Sequence, residues 1–393
     1  MTRRVLFLGF TLPDEVVAEI ARKSPMLPTQ THNFAWNVVK SLRASGVEVR
    51  LLSTHPVPDY PKYPKLVFRT ERFSAHGVGG MTIGFVNALV LKHLSRTVQL
   101  LIKGDRYVDE QKVDVILVHG VHTPFLRYAA RRRRSGSRAV AVLTDPPGVV
   151  LSTDGMLRRL LKGLDRRSVT KLLRSFDAVI ALTPGLADAL APGVPCLTTP
   201  GFIPELDRTA VERGGGPVVI AYAGGLSAGY GVDRLVHAVT QIQDERLVLD
   251  LYGRGDLEPW LREQATKNKR VRLRGALPPD QAREAIGKAD ILVNPRTLTD
   301  EHILYSFPSK LLEYIALGVP TITTPLPAIP DALRSALVIT KDDSVAALVE
   351  SIQDVAGWED QARSVFGENA RQVGRRLLSP ESQGAKISAF LFG

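Results

Sequence analysis

Short and almost uninterrupted apolar runs recur along this chain, each followed by a helical pattern or a polar turn. Residues 5–9, 47–53, 113–119, 139–144, 178–183 and 196–199 form one series. Strands that are apolar on both faces belong to a parallel sheet covered by helices, whereas a half-solvated sheet would alternate. Helical spacing fills some of the gaps, as with Phe34, Val38, Val39 and Leu42 before Gly46. The same order restarts after residues 200–217, which contain GFIPEL and three consecutive glycines and read as a linker. Residues 218–223, 247–252, 271–274, 291–293, 321–324 and 337–339 form the second series. A chain of 393 residues exceeds one ordinary core. The fold class expected is α/β, with two doubly wound Rossmann-like domains, 1–205 and 217–375, facing a cleft. A helical stretch over 358–378 leads into a tail, 376–393, whose Ile387, Phe390 and Leu391 are expected to pack back on the N-terminal domain.

Charge separates the halves. Residues 1–200 hold 29 Lys and Arg against 15 Asp and Glu, a net of +14, while the remainder holds 22 against 25. One domain is therefore suited to an anionic partner. Its cations cluster in the run Arg131, Arg132, Arg133, Arg134 and in the stretch from Met156 to Arg174, where Leu157, Leu160, Leu161, Leu164, Leu172 and Leu173 stand among Lys and Arg. That pattern fits an amphipathic helix on an anionic membrane surface, and equally a solvated face of a core-packed helix. No aromatic-interleaved basic motif or zinc spacing points to nucleic acid. A single cysteine, Cys196, fits a reducing compartment, and no apolar stretch is long enough to span a bilayer. The expected location is cytoplasmic, peripheral on the inner face of a membrane.

Ligands of open parallel sheets bind beyond the C-terminal strand ends. In the second half those ends carry Gly224, Gly225, Leu226 and Ser227, then Gly253, Arg254 and Gly255, then Asn294, Pro295 and Arg296. In the first half they carry a loop over 28–33 with Gln30, Thr31 and Asn33, then His119, then Asp145 before two prolines. Each alone could be ordinary turn chemistry. The segment from Tyr305, YSFPSKLLEYIALGVPTITTP, is more pointed. A turn with Ser306, Phe307, Pro308 and Ser309 opens a helix bearing Lys310 in its first turn and Glu313 one turn on. Helix-start N–H groups, a lysine and a carboxylate suit a ligand with phosphate at one end and hydroxyls at the other, although a plain capped helix has the same look.

Taken in order, these motifs over 217–330 resemble the retaining family 4 glycosyltransferases of the GT-B fold, and most nearly a polysaccharide-type subgroup with NPR…YSFPSK…EY. The first half resembles them loosely. The resemblance implies that 224–231 is the loop written G-R-L-x-x-x-K-G in the family, and that Gly253 and Gly255 are its later G-x-G. It further implies that Glu313 holds the donor ribose hydroxyls and that Ser306 to Ser309 approach sugar and phosphate. The chain departs from the family at Gly225 and Tyr230, where an arginine and a lysine are usual, and at Tyr305, where an acid is usual. Arg296 and Lys310 are inferred to supply the missing charge, with Glu301 a candidate for the missing acid.

The implied activity is transfer from a UDP- or GDP-type nucleotide-sugar to a saccharide or lipid-linked acceptor with retention, in cell-surface glycan or glycolipid synthesis. Donor contacts are assigned to Gly224, Gly225, Gly253, Arg254, Asn294, Arg296, Tyr305–Lys310 and Glu313. Lys310, Arg296, Asp145 and His119 are the catalytic candidates, and Gln30, Thr31 and Asn33 lie on the acceptor side. No Asp-x-Asp pair occurs, so a metal-independent reaction without cofactor is expected. Two alternatives stay open: a non-catalytic GT-B partner that activates another transferase, and a sugar-nucleotide 2-epimerase. A dehydrogenase is disfavoured because no G-x-G-x-x-G follows the first strand.

Overall fold

A computed structural model describes residues 3–24, 29–89, 91–145, 156–206, 216–299 and 301–393. The side chains of residues 29, 30, 156–162, 164, 165, 301 and 302 lie outside that description. The chain divides into two compact units, Met1–Thr199 with Pro380–Gly393, and Pro200–Ser379.

The first unit is built on β1 (Arg4–Gly9), β2 (Glu48–Ser53), β3 (Val67–Phe68), β4 (Glu71–Ala75), β5 (Val78–Thr82), β6 (Phe85–Val86), β7 (Val115–His119), β8 (Arg138–Leu143), β9 (Ala178–Ala181) and β10 (Cys196–Thr198). Eight of these form one sheet in the order β10-β9-β8-β7-β1-β2-β5-β4, parallel except for the β4/β5 hairpin. Burial on both faces accounts for the apolar runs: every residue of β7 and β9 is buried. The hairpin and the small β3/β6 pair carry no such run. β4 reads ERFSA and is largely exposed, and β5 opens Val-Gly-Gly, so neither has an apolar signature. The hairpin turns through His76 and Gly77, both at positive φ, as a two-residue loop of this twist requires.

The second unit holds β11 (Val218–Gly225), β12 (Leu247–Arg254), β13 (Val271–Gly275), β14 (Ile291–Asn294), β15 (Thr321–Thr323) and β16 (Val338–Ile339). All six run parallel in the order β13-β12-β11-β14-β15-β16. The chain therefore reverses its direction of sheet growth between β11 and β14, and Gly225 and Asn294 end those two strands.

Three details differ from the sequence expectation. The first unit stops at Thr199, so residues 200–205 belong with the second, where Ile203 is buried against Leu312, Ile315 and Leu378. The expected tail from 376 begins instead at Pro380 and is itself a helix, Pro380–Phe392, packed in the first unit. There Ile387 and Leu391 are buried, Thr199 Oγ1 donates to Gln383 Oε1 at 2.6 Å, and Arg138 Nη1 donates to the Leu391 carbonyl at 3.0 Å. A Cβ on Gly384 would overlap the Ser41 carbonyl, so the two helix backbones touch because this residue is glycine. Finally, the expected loop at 28–33 is helical from its second residue, as the opening of the helix Thr29–Ala44. Buried Ala35, Trp36, Val38, Val39 and Leu42 hold that helix down, and their periodicity extends further toward the N-terminus than its polar residues suggest.

Candidate active site

The strand ends of the second unit are knitted together by glycines. Gly253 sits at φ 145°, and a Cβ there would overlap the Gly224 carbonyl oxygen. Gly255 stands in the same relation to the Leu226 carbonyl, and Gly231, at φ 71°, to that of Pro295. The backbones following β11, β12 and β14 thus touch one another, fastened by Leu226 N–H donating to the Arg254 carbonyl at 2.9 Å. Only residues without a side chain permit so close an approach.

The helix Ser309–Leu317 ends beside this knot. Leu311, Leu312 and Ile315 bury one side of it against Ile203, Leu326 and Ile329, while Tyr314 and Leu317 pack on Ala221 and Leu292. Gly318, left-handed at φ 64°, closes it. Tyr314 Oη accepts from the Ala223 amide at 3.1 Å, which pins the helix to β11. No side chain caps the helix start at Pro308, leaving its first N–H groups for other partners. Phe307 and Pro308 are buried in the core, Ser309 is exposed, and Tyr305, Ser306, Lys310 and Glu313 are half-buried.

Lys310 folds back across the end of β11. Its Cε lies 2.5 Å, and its Nζ 2.9 Å, from where a Cβ of Gly224 would be, so Gly224 makes room for it. Burial holds the ammonium below its ordinary pKa, opposed by the Glu313 carboxylate. Among the described residues Lys310 makes no ion pair or hydrogen bond, and Glu313 makes none either. The Glu313 carboxylate offsets this burial only in part and makes no direct ion pair, so an anionic ligand would stabilise the ammonium further.

The departures at Gly225 and Tyr230 are coupled in space. A Cβ on Gly225 would come 2.7 Å from Tyr230 Cε2, so the tyrosine ring occupies the room that a side chain at 225 would need. The Arg296 guanidinium then sits 5.5 Å from that ring's centroid. Asn294 is buried and donates to Thr323 Oγ1 at 2.9 Å, so it ties β14 to β15. Arg254 is exposed at the end of β12. Tyr222 and Tyr314 were not legible as site residues. Tyr222 Oη donates to the Gly225 carbonyl at 2.9 Å, and nothing in a run of strand residues signals such a support.

In the first unit, β1 and β7 flank the corresponding reversal of strand order. His119 ends β7, buried and in contact with Phe34 and Phe7, with ring centroids 5.9 and 5.6 Å away. Together with Thr31, Phe10 and His32 it lines a pocket of about 80 Å³. Asp145 is exposed after β8 and Asn33 is exposed on its helix, so neither lines this pocket, and the Gln30 side chain is outside the described set. His32 was missed by sequence reading. It and His76 bind opposite oxygens of Asp14, at 2.9 and 3.0 Å.

Burial pushes His119 and His55 down to about 4, and drives His122 well below the ordinary histidine value. Above pH 6.5 these rings are neutral whether the chain is folded or not. Between pH 6.5 and about 4 the unfolded chain binds protons that the folded unit refuses, so folding stability falls with pH across that window. The loss for His119 alone is about 2 kcal/mol by pH 5 and about 3 kcal/mol by pH 4. Urea unfolding at pH 7.5 and pH 5 should show it, and His119→Phe should reduce the dependence, leaving the shares of His55 and His122.

Two family models match the chain. One, described as glycosyl transferases group 1, covers residues 217–357, and the other, a glycosyl transferase 4-like domain, covers residues 31–195. The chain belongs to the GT4-like, GT-B glycosyltransferases. Solved structures share this transferase's fold end to end. A sucrose-phosphate synthase from Thermosynechococcus elongatus is 14% identical with a TM-score of 0.62, covering 99% of this chain and 98% of that one. HepE of Anabaena in complex with UDP is 13% identical, with a TM-score of 0.60 and 99% of both chains covered. The lipopolysaccharide outer core galactosyltransferase WaaB is 14% identical, with a TM-score of 0.58 and coverage of 98% and 99%. No curated protein matches the sequence. No described helix is long and apolar enough to cross a membrane.

Proposed function

We propose that this transferase takes its sugar from a UDP- or GDP-type nucleotide-sugar held at the strand ends of the second unit. The sugar passes with retention of configuration to a saccharide or lipid-linked acceptor, in cell-surface glycan or glycolipid synthesis. The observation that carries this reading is Lys310, a partly buried cation with no direct ion pair, lying across Gly224 beside a helix start that no side chain caps. A diphosphate complements that ammonium in charge, and Glu313 stands one turn further along to accept hydroxyl hydrogens from the ribose. Structures of HepE with UDP and with UDP-glucose support such a donor, since they place those ligands in the same fold.

In the transfer the bond from the sugar C1 to the diphosphate oxygen breaks, and an acceptor oxygen bonds to C1. The acceptor proton leaves with the diphosphate. Negative charge grows on the departing oxygen, and Lys310, Arg296 and the helix N–H groups are set where fixed positive charge lowers that barrier. The acceptor is received by the first unit, with His119, Asp145, Gln30, Thr31 and Asn33 as the residues to test.

Thermal-shift screening against UDP, GDP and their sugars, followed by NMR of the product anomer, tests the reading. Stabilisation by no member of the panel would leave the non-catalytic partner role standing instead. Glu313→Ala should raise KM for the donor about 10- to 100-fold with a much smaller change in kcat, as loss of hydrogen bonds to a charged group implies.

An anionic membrane surface was expected to meet the arginine clusters. Arg131 pairs with Asp105, Arg132 with Asp109 at 2.6 Å, and Arg133 with Asp177 at 2.8 Å. In the helix Met156–Leu173, Val169 and Leu173 are buried and Arg166 and Arg167 are exposed, while the side chains of Arg158, Arg159 and Lys162 lie outside the described residues. The pairing reduces the free charge of the first cluster and leaves the second as a candidate to test.

A further inference from the structure

We propose that the first unit docks on an anionic lipid bilayer through an apolar ridge on the helix Leu91–Gln99 and its π-helical continuation Leu100–Gly104. This rests on the lipid-linked form of the acceptor proposed above. Leu91, Leu94, Val98, Leu101 and Ile102 recur at helical steps along one side and are between 42% and 59% exposed. The opposite side carries Lys92 and Arg96, both buried. The helix is therefore inverted relative to an ordinary surface helix, with cations inside and leucines outside.

It is also locked in that orientation. Lys92 Nζ donates to the Val57 carbonyl at 2.5 Å and to Asp59 at 2.9 Å. Arg96 donates to the His55 carbonyl at 2.8 Å, and its guanidinium lies 4.1 Å from the Phe85 ring centroid. Rolling the leucines inward would break these bonds and leave the Val57 and His55 carbonyls without their donors.

The ridge extends across a neighbouring loop. Tyr60 N–H donates to the Asn87 carbonyl and Asn87 N–H to the Leu66 carbonyl, while Val67 pairs with Val86, so exposed Tyr60, Leu66 and Val67 adjoin the helix that follows. Exposed Lys62, Lys65, Arg69 and Lys103 border it, and Glu71 is the sole acid between Tyr60 and Gly104. Apolar side chains rimmed by lysines, with a tyrosine at the edge, match an interface with anionic headgroups. A two-fold dimer through this face would instead set its lysines against themselves.

Flotation with vesicles of phosphatidylcholine alone or enriched in phosphatidylglycerol tests the proposal. The protein should float with the anionic vesicles and be released by salt. Leu94→Gln with Ile102→Gln should weaken partitioning at least tenfold, Lys62→Gln with Lys65→Gln should make it less salt-sensitive, and Arg166→Gln with Arg167→Gln should leave it unchanged. An environment-sensitive fluorophore on Leu94→Cys in a Cys196→Ser background should shift to the blue on anionic vesicles. Equal flotation of the ridge variant, absence of vesicle binding, or a dimer in ultracentrifugation that the ridge substitutions dissolve would each overturn it. UDP and GDP thermal shifts on every variant read the donor site separately: vesicle binding without a response to either nucleotide would sink the donor reading and spare the docking surface.

Discussion

Replacing Lys310 with methionine should lower sugar transfer by about 10²- to 10³-fold, the scale seen when one preorganised donor to a developing oxyanion is lost. Methionine keeps the length and apolar stem of the side chain, so the packing over Gly224 survives while the charge goes. The effect should fall mainly on kcat, because negative charge on the diphosphate oxygen grows as the C1–O bond breaks. Stability should stay level or rise, since a partly desolvated ammonium that the Glu313 carboxylate offsets only in part is removed. Steady-state kinetics with the donor identified by thermal shift, alongside urea unfolding, separate the two effects. Unchanged kcat in Lys310→Met would show that the lysine is not aimed at the leaving group.

Gly253→Ala should be the most damaging small substitution in the second unit. Its φ of 145° belongs to a region that residues with a side chain rarely adopt, and the added methyl would overlap the Gly224 carbonyl. Backbone strain of about 1–3 kcal/mol and a forced displacement of similar size act together. A loss of roughly 3–5 kcal/mol, or about 10 °C in the melting of that unit, is expected. UDP binding should disappear with it, because the displaced strand end is the one Lys310 covers. Gly229→Ala is the matched comparison: it lies in the neighbouring loop, with nothing within 4 Å of its Cβ position and an ordinary φ. Equal melting temperatures for the two variants would contradict the close-approach account.

How far the site can be read from the sequence depends on the range of the interaction concerned. The helix at Ser309, its lysine, its carboxylate and its stop at Gly318 are consequences of neighbours within one or two turns, and the segment alone displays them. The turn before it is equally local. That Lys310 crosses Gly224 is not local, because 86 residues separate the two positions. Likewise, Gly225 and Tyr230 read as two losses of charge, whereas in three dimensions the ring fills the room over the glycine and Arg296 lies beside it.

Charge pairing is nonlocal in the same way. A run of four arginines looks like a free basic patch, yet the acids that neutralise three of them come from Asp105, Asp109 and Asp177 on other elements. The inverted helix at Leu91 shows the converse. Its periodicity is plainly amphipathic in the sequence, and periodicity gives the two faces without saying which one the core takes.

What the sequence by itself determined was the fold class: two α/β units, their parallel strands, and the helix at Ser309 with its lysine and carboxylate. Apolar runs and helical spacing are local patterns that folding must satisfy wherever the elements end up. Tertiary structure alone decided the strand order that makes β11 and β14 neighbours, the glycine contacts that fuse the strand-end loops, and the sides on which leucines and arginines face. Those depend on which distant elements meet, and burial and charge pairing are energies of meeting.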